Sequence, residues 1–170
     1  EAEKQAEKNE KLLKELEELS KKLEKDQLFD TADKLKQNAK NQQQNLEQLV
    51  ELTKRFYVEQ KAEQIADKVD KLAEKEDKLA DDAKENSKEN QDAINKEFED
   101  IQKELQELDK ENKELKVPMD IPNDKNEQED VKKDMEKASE ELQKQNQQKA
   151  KPKQKSAAAK MKQMSQKMAQ

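Results

Sequence analysis

Residues 94–122 read INKEFEDIQKELQELDKENKELKVPMDIP. Ile94, Phe98, Ile101, Leu105 and Leu108, then Asn112 and Leu115, step by alternating fours and threes. That spacing puts one stripe along one face of an α-helix and leaves the remaining positions to charged and polar residues. The stripe ends just before Pro118, and Pro122 follows four residues on. Proline lacks a backbone N–H, its ring collides with the preceding turn, and the residue before it avoids the helical region. A helix must therefore stop here, and Asn123 and Asp124 add turn chemistry. A helix with one narrow stripe needs a partner. We expect the chain beyond the prolines to fold back and supply one, the alternative being departure toward another molecule.

The same period extends in both directions. Toward the N-terminus, Leu12, Leu16, Leu19 and Leu23 form a first heptad seam. The phase then shifts, and Leu28, Ala32, Leu35, Ala39, Gln42, Leu46, Leu49, Thr53 and Phe56 form a second. Asp30 or Thr31 could cap a new helix at this shift, and a bend or break near 25–31 is expected. After RFYVEQK the seam moves again, to Val58, Ala62, Ile65, Val69, Leu72, Glu76, Leu79 and Ala83, with no proline or glycine to interrupt the helix. The apolar-poor KENSKENQ admits two readings: a four-residue stutter in one continuous helix, or a loop, capped by Asn86 or Ser87, that makes a hairpin. Beyond the prolines, Val131, Met135, Ala138 and Leu142 suit a return helix, Pro152 is expected to interrupt it, and Ala157, Met161, Met164 and Met168 close the chain at heptad spacing.

Composition agrees with a narrow seam. Charged residues make up 46% of the 170 positions and hydrophobic ones only 29%, with no glycine. That balance suits either disorder or long helices burying little apolar area, and the helical period decides for helices. The fold expected is all-α: long coiled-coil helices with a proline hinge near 117–124, folding into a helical hairpin or bundle. The segments are an N-terminal helix over 1–27, coiled-coil helices over 28–116 with the open break near 86–90, the hinge, a return helix over 125–150 and a basic Ala/Met helix over 151–170.

Charge is segregated. From Leu142 to Gln170 there is no acidic residue but there are lysines at 144, 149, 151, 153, 155, 160, 162 and 167, against a net charge of −6 for the whole chain. The tail could pack on acidic helices of its own chain, lie on an anionic protein or membrane surface, or bind nucleic acid. The last reading is set aside, since neither stacking aromatics nor arginines accompany the lysines. Candidate partner contacts are Met161, Met164 and Met168 with Lys160, Lys162 and Lys167, methionine being adaptable. Phe56 and Tyr57 join them, the first fitting the seam and the second unable to share its face. For the methionines and aromatics the competing reading is ordinary core, as for Phe29 and Phe98.

Chemistry finds little to build on. The chain has neither histidine nor cysteine, which removes the usual nucleophile–base pairs and most transition-metal ligands. DKNEQED at 124–130 lacks the glycine and ligand spacing of a calcium loop and reads as a solvated turn. No catalytic residue, cofactor or metal site is expected, and no run is long and apolar enough to span a membrane. The first residue is Glu1, which suggests a piece of a longer chain or a processed product.

Three stretches, LEQLVELTKRFYVEQKAEQIADKVDKLAEKEDKLADD, FEDIQKELQELDKENKELKVPMDIP and KASEELQKQNQQKAKPKQKSAAAKMKQMSQKM, occur in this order. Together they resemble the long coiled-coil region of large Bacteroidetes-type membrane-anchored proteins, a family known as a domain of unknown function. The likeness covers roughly residues 10–170. It implies a segment of an envelope protein anchored in the inner membrane outside this piece, on the periplasmic side. It implies no catalytic residues. The function expected is a coiled-coil spacer or scaffold whose partners are proteins: further copies of itself or an envelope complex. Membrane contact would come from parts outside the segment or weakly through the basic tail. The alternative is a docking module whose basic, methionine-bearing C-terminal segment binds an acidic protein or anionic membrane surface.

Overall fold

A computed structural model describes residues 2–28 and 46–169. Among them are five helices and no strand: α1 (Ala2–Lys25), α2 (Leu46–Asp81), α3 (Lys88–Lys113), α4 (Lys125–Gln143) and α5 (Gln147–Ala169). The chain is thus all-α. The expected caps at Asp30 and Thr31, Phe29, and the seam from Ala32 to Gln42 lie outside the described residues. α2 runs unbroken through RFYVEQK, as the lack of any breaker there predicts.

The chain divides into two compact units, residues 62–109 with 120–170 and residues 1–61 with 110–119. In the first of these, four helical stretches pack up-down-up-down. Lys68 meets Glu104 and Lys75 meets Glu97, so α2 and α3 run antiparallel. Asn95 meets Ser139 and Gln102 meets Gln128, so α4 folds back along α3. Lys160 meets Asp134 and Lys167 meets Glu127, so α5 returns along α4. Lys155 on Asp77 and Lys162 on Asp70 close α5 against α2. The result is a four-helix bundle.

The bundle core is the stripe read from sequence. Ile94, Phe98, Ile101, Leu105 and Leu108 of α3 are buried, as are Val131, Met135, Ala138 and Leu142 of α4. The two readings of KENSKENQ resolve to the hairpin. Asp82 Oδ1 accepts the backbone N–H groups of Lys84 and Glu85, and Ser87 Oγ accepts that of Asn90, capping α3. Asp124 caps α4 by accepting from the N–H groups of Asn126 and Glu127. DKNEQED is therefore the cap and opening turns of a helix, rather than a solvated turn.

Pro152 does not interrupt the last helix. The break lies at 144–146, and Pro152 sits in the second turn of α5. Proline there forfeits the bond to the carbonyl of Gln148 and crowds that carbonyl with its ring, but Gln148 is exposed, so water can serve the freed oxygen. What ends α4 is a Schellman cap. Asn146 N–H donates to Glu141 O and Gln145 N–H to Leu142 O, with Gln145 at φ 60°. The same motif ends α1: Leu28 N–H donates to Leu23 O and Gln27 N–H to Glu24 O, with Gln27 at φ 63°. Lacking glycine, the chain places glutamine in the left-handed region at both caps.

The other unit holds α1, the first part of α2 and residues 110–119. Lys8–Glu47 and Lys54–Glu15 run α1 parallel to α2. Of the α1 seam only Leu23 is buried, while Leu12, Leu16 and Leu19 are half-buried. The non-helical residues after α3 are held by polar contacts. Asn112, a seam position, donates to Met119 O (2.7 Å) and accepts from Met119 N–H (2.8 Å). Glu51 accepts the N–H of Lys116, and Arg55, the only arginine, donates to Val117 O.

Candidate functional site

The residues proposed from sequence as partner contacts are mostly occupied within the chain. Met161 and Met164 face inward and are buried, and Met168 is half-buried. Lys160 donates to Asp134 (2.8 Å), Lys162 pairs with Asp70 and Glu74, and Lys167 pairs with Glu127 (3.1 Å). Burial alone would raise the Asp134 pKa, but Lys160 and Ser156 outweigh it and hold this carboxyl below its ordinary value. Of the two aromatics, Tyr57 follows the core reading, and Phe56, the seam residue, is the less buried. Tyr57 is buried, its hydroxyl donating to Asp26 and Lys22 lying 5.1 Å from the ring centroid, whereas Phe56 is half-buried. The inward face steps from Thr53 by four to Tyr57, because a phenol can reach a carboxylate at the end of α1. The phase shift therefore comes one residue earlier than the sequence suggests. Phe98 is core, as expected.

The most unusual chemistry lies inside the four-helix unit, where a polar network replaces apolar packing in one layer. Glu76 (α2), Gln91 (α3) and Gln154 (α5) are all 0% exposed. Gln154 and Asn86 exchange reciprocal amide bonds of 2.7 and 2.9 Å. Gln154 Nε2 also donates to Gln91 Oε1 (2.7 Å). Gln91 Nε2 divides its two hydrogens between Glu76 Oε1 (2.7 Å) and Asn95 Oδ1 (2.9 Å). Asn95 donates to Ser139 Oγ on α4, and Ser139 donates to Asp92 Oδ1 (2.8 Å). Donation thus runs from α5 through α3 and branches to two carboxylates, with all four helices taking part.

The two carboxylates differ sharply. Asp92 also accepts from Lys88, and the lysine, with Ser139, holds its pKa below the ordinary value against the opposing effect of burial. Among the described residues, only Gln91 donates to Glu76. Burial pushes its carboxyl up to about 7, with the Gln91 amide opposing the rise. Its second oxygen, Oε2, is buried and has no hydrogen-bond partner among the described residues. An unpaired buried carboxylate is costly, so the group stays protonated across much of the acidic range.

Sequence reasoning places Glu76 on the α2 seam but misses the network. The available signal was a set of polar residues in apolar registers: Gln154 stands seven residues before Met161 on the same stripe, and Gln91 seven before Phe98. No family model matches this chain, and comparison with curated proteins and with solved structures returns no significant likeness.

Proposed function

We propose that this chain is a non-catalytic structural and interaction segment, a helical spacer or scaffold of a membrane-anchored envelope protein. One observation carries the structural part. The basic, methionine-bearing helix α5 is the closing helix of a bundle, with Met161 and Met164 in the core and Lys151, Lys155, Lys160, Lys162 and Lys167 set against carboxylates of α2 and α4. Each exposed pair contributes little stability. Five such lysines nevertheless set α5 between the acidic faces of two flanking helices, without fixing its register. A free docking tail would instead hold its lysines in solvent. The envelope setting rests on the family resemblance. No helix among the described residues is long and apolar enough to cross a membrane, so the anchor of this reading lies outside the segment.

Deleting residues 143–170 tests the proposal. A closing helix predicts loss of cooperative melting by circular dichroism throughout 62–142, because the stripes of α2 and α4 lose their cover. A remnant that melts like the parent while losing salt-sensitive binding to acidic proteins or anionic vesicles would favour the docking module instead.

A further inference from the structure

We propose that Glu76 is a proton-operated latch: neutral, it lets α5 close over α2 and α3 at this layer, and ionised, it forces the layer to open. The inference starts from placement. Glu76 is wholly buried between helices, held through one oxygen by a single amide, and its other oxygen has no hydrogen-bond partner among the described residues. A neutral acid here leaves at most one O–H without an acceptor, a far smaller cost than a bare buried charge. A carboxylate needs a cation or several donors, and the surroundings offer neither.

The charged groups around the layer can be followed helix by helix. On α2, Lys75 is paired with Glu97 of α3, and Asp77 with Lys155 of α5. On α3, Asp92 is taken by Lys88 and Ser139. On α4, Asp134 is paired with Lys160, while Glu136, Lys137 and Glu140 are exposed. On α5, Lys151 and Lys155 both meet Asp81. No described cation pairs with Glu76. Nor can the network reorganise to help. Both hydrogens of Gln91 Nε2 and both of Gln154 Nε2 are committed, so a second donor for Glu76 would have to leave another buried acceptor bare. The way to hydrate the charge is to part α5 from the layer. Three of the network residues, Asn86, Gln91 and Gln154, then gain water together, which makes the opening cooperative. The elevated Glu76 midpoint, set by burial, puts this transition near neutrality.

The test compares the wild-type chain with Glu76→Gln, which keeps the shape and the Gln91 bond but never ionises. Urea denaturation of both is followed across the range from about pH 5 to 8. With a folded-state midpoint of about 7 against 4.5 for the unfolded chain, the wild-type unfolding constant should rise relative to the variant by roughly 50- to 100-fold over that range. A wild-type to variant ratio that does not move with pH would overturn the proposal. Should Glu76→Gln fail to fold, the side-chain carboxyl carbon of Glu76 can be titrated by NMR in the wild-type chain, with amide exchange along α5 read at each pH. A midpoint above 6 with faster opening of α5 on ionisation supports the latch. A midpoint near 4.5, or ionisation without faster opening, refutes it.

Discussion

Replacing Gln91 by leucine should damage this protein more than replacing the whole polar layer. Gln91 is 0% exposed and its amide makes three bonds: to Glu76, to Asn95 and from Gln154. Leucine makes none. Asn95 is half-buried and can turn toward water, but Glu76 Oε1 loses its donor and one Gln154 N–H loses its acceptor. Each orphaned buried group costs about 1–3 kcal/mol. The extra apolar side chain returns about 1–2 kcal/mol, so Gln91→Leu should lose about 2–3 kcal/mol at the middle of these ranges. In the triple variant E76L/Q91L/Q154L the orphans vanish. Asn86 then loses both amide bonds it exchanges with Gln154, about 2–6 kcal/mol at the same cost per buried group, and three added apolar side chains at about 1–2 kcal/mol each offset it. The triple variant should therefore lie within about 1 kcal/mol of wild type or above it. Urea unfolding by circular dichroism at about pH 6, below the Glu76 midpoint, measures both. Gln91→Leu indistinguishable from wild type would refute the reasoning. So would a triple variant as weak as the single one, because the layer would then stabilise through something other than mutual pairing.

Two further perturbations have definite signs. Gln145→Gly should stabilise the chain by up to about 1 kcal/mol, since Gln145 occupies the left-handed region at φ 60° and glycine does so without steric cost; a lower thermal midpoint would mean that the glutamine side chain compensates by packing. On the acid side, Asp92 and Asp134 sit below their ordinary value of 3.8, so the unfolded chain takes up protons first as pH falls. Their contribution is present above that value and lost as pH falls from it through their lower folded values, while the Glu76 contribution is present below 4.5 and lost as pH rises through about 7. Urea midpoints should therefore peak near pH 4–5, lower than is usual for globular proteins, and a plateau extending to pH 8 would contradict the assignment.

Much of this fold could be read from spacing. The α3 and α4 stripes are buried residue for residue, and the fold-back after Pro118 and Pro122 is present as antiparallel α3 and α4. Period and propensity reinforce each other there. The misreadings share a cause: local rules were asked to settle what tertiary contacts decide. Pro152 reads as a breaker, yet it costs α5 one bond, to an exposed carbonyl that water can reach, while the rest of the helix is held by its buried stripe. The Gln145 cap went unread because glycine is the usual signal for a left-handed residue, and this chain has none. Heptad counting puts Phe56 on the seam and Tyr57 off it, because spacing alone ignores a phenol that can reach Asp26. The buried network was least legible, since glutamine and glutamate on a seam look like dilution of the core until their partners are known.

The same scarcity of apolar residues explains why the network belongs where it is. Alanine and methionine stripes, as on α5, specify helix position weakly, because small and flexible side chains fit more than one register. Ion pairs between exposed lysines and carboxylates are equally permissive, for a shift of one turn finds new partners in a chain that is 46% charged. A reciprocal amide pair is not permissive. Sliding α5 by one turn would bring Ala150 or Ala158 to the level of Gln154, leaving Asn86 and Gln91 without their partner in a buried site. The stability gained from the layer is small, but the penalty it imposes on every other register is large. In a bundle whose core would otherwise accept several alignments, the polar layer selects one.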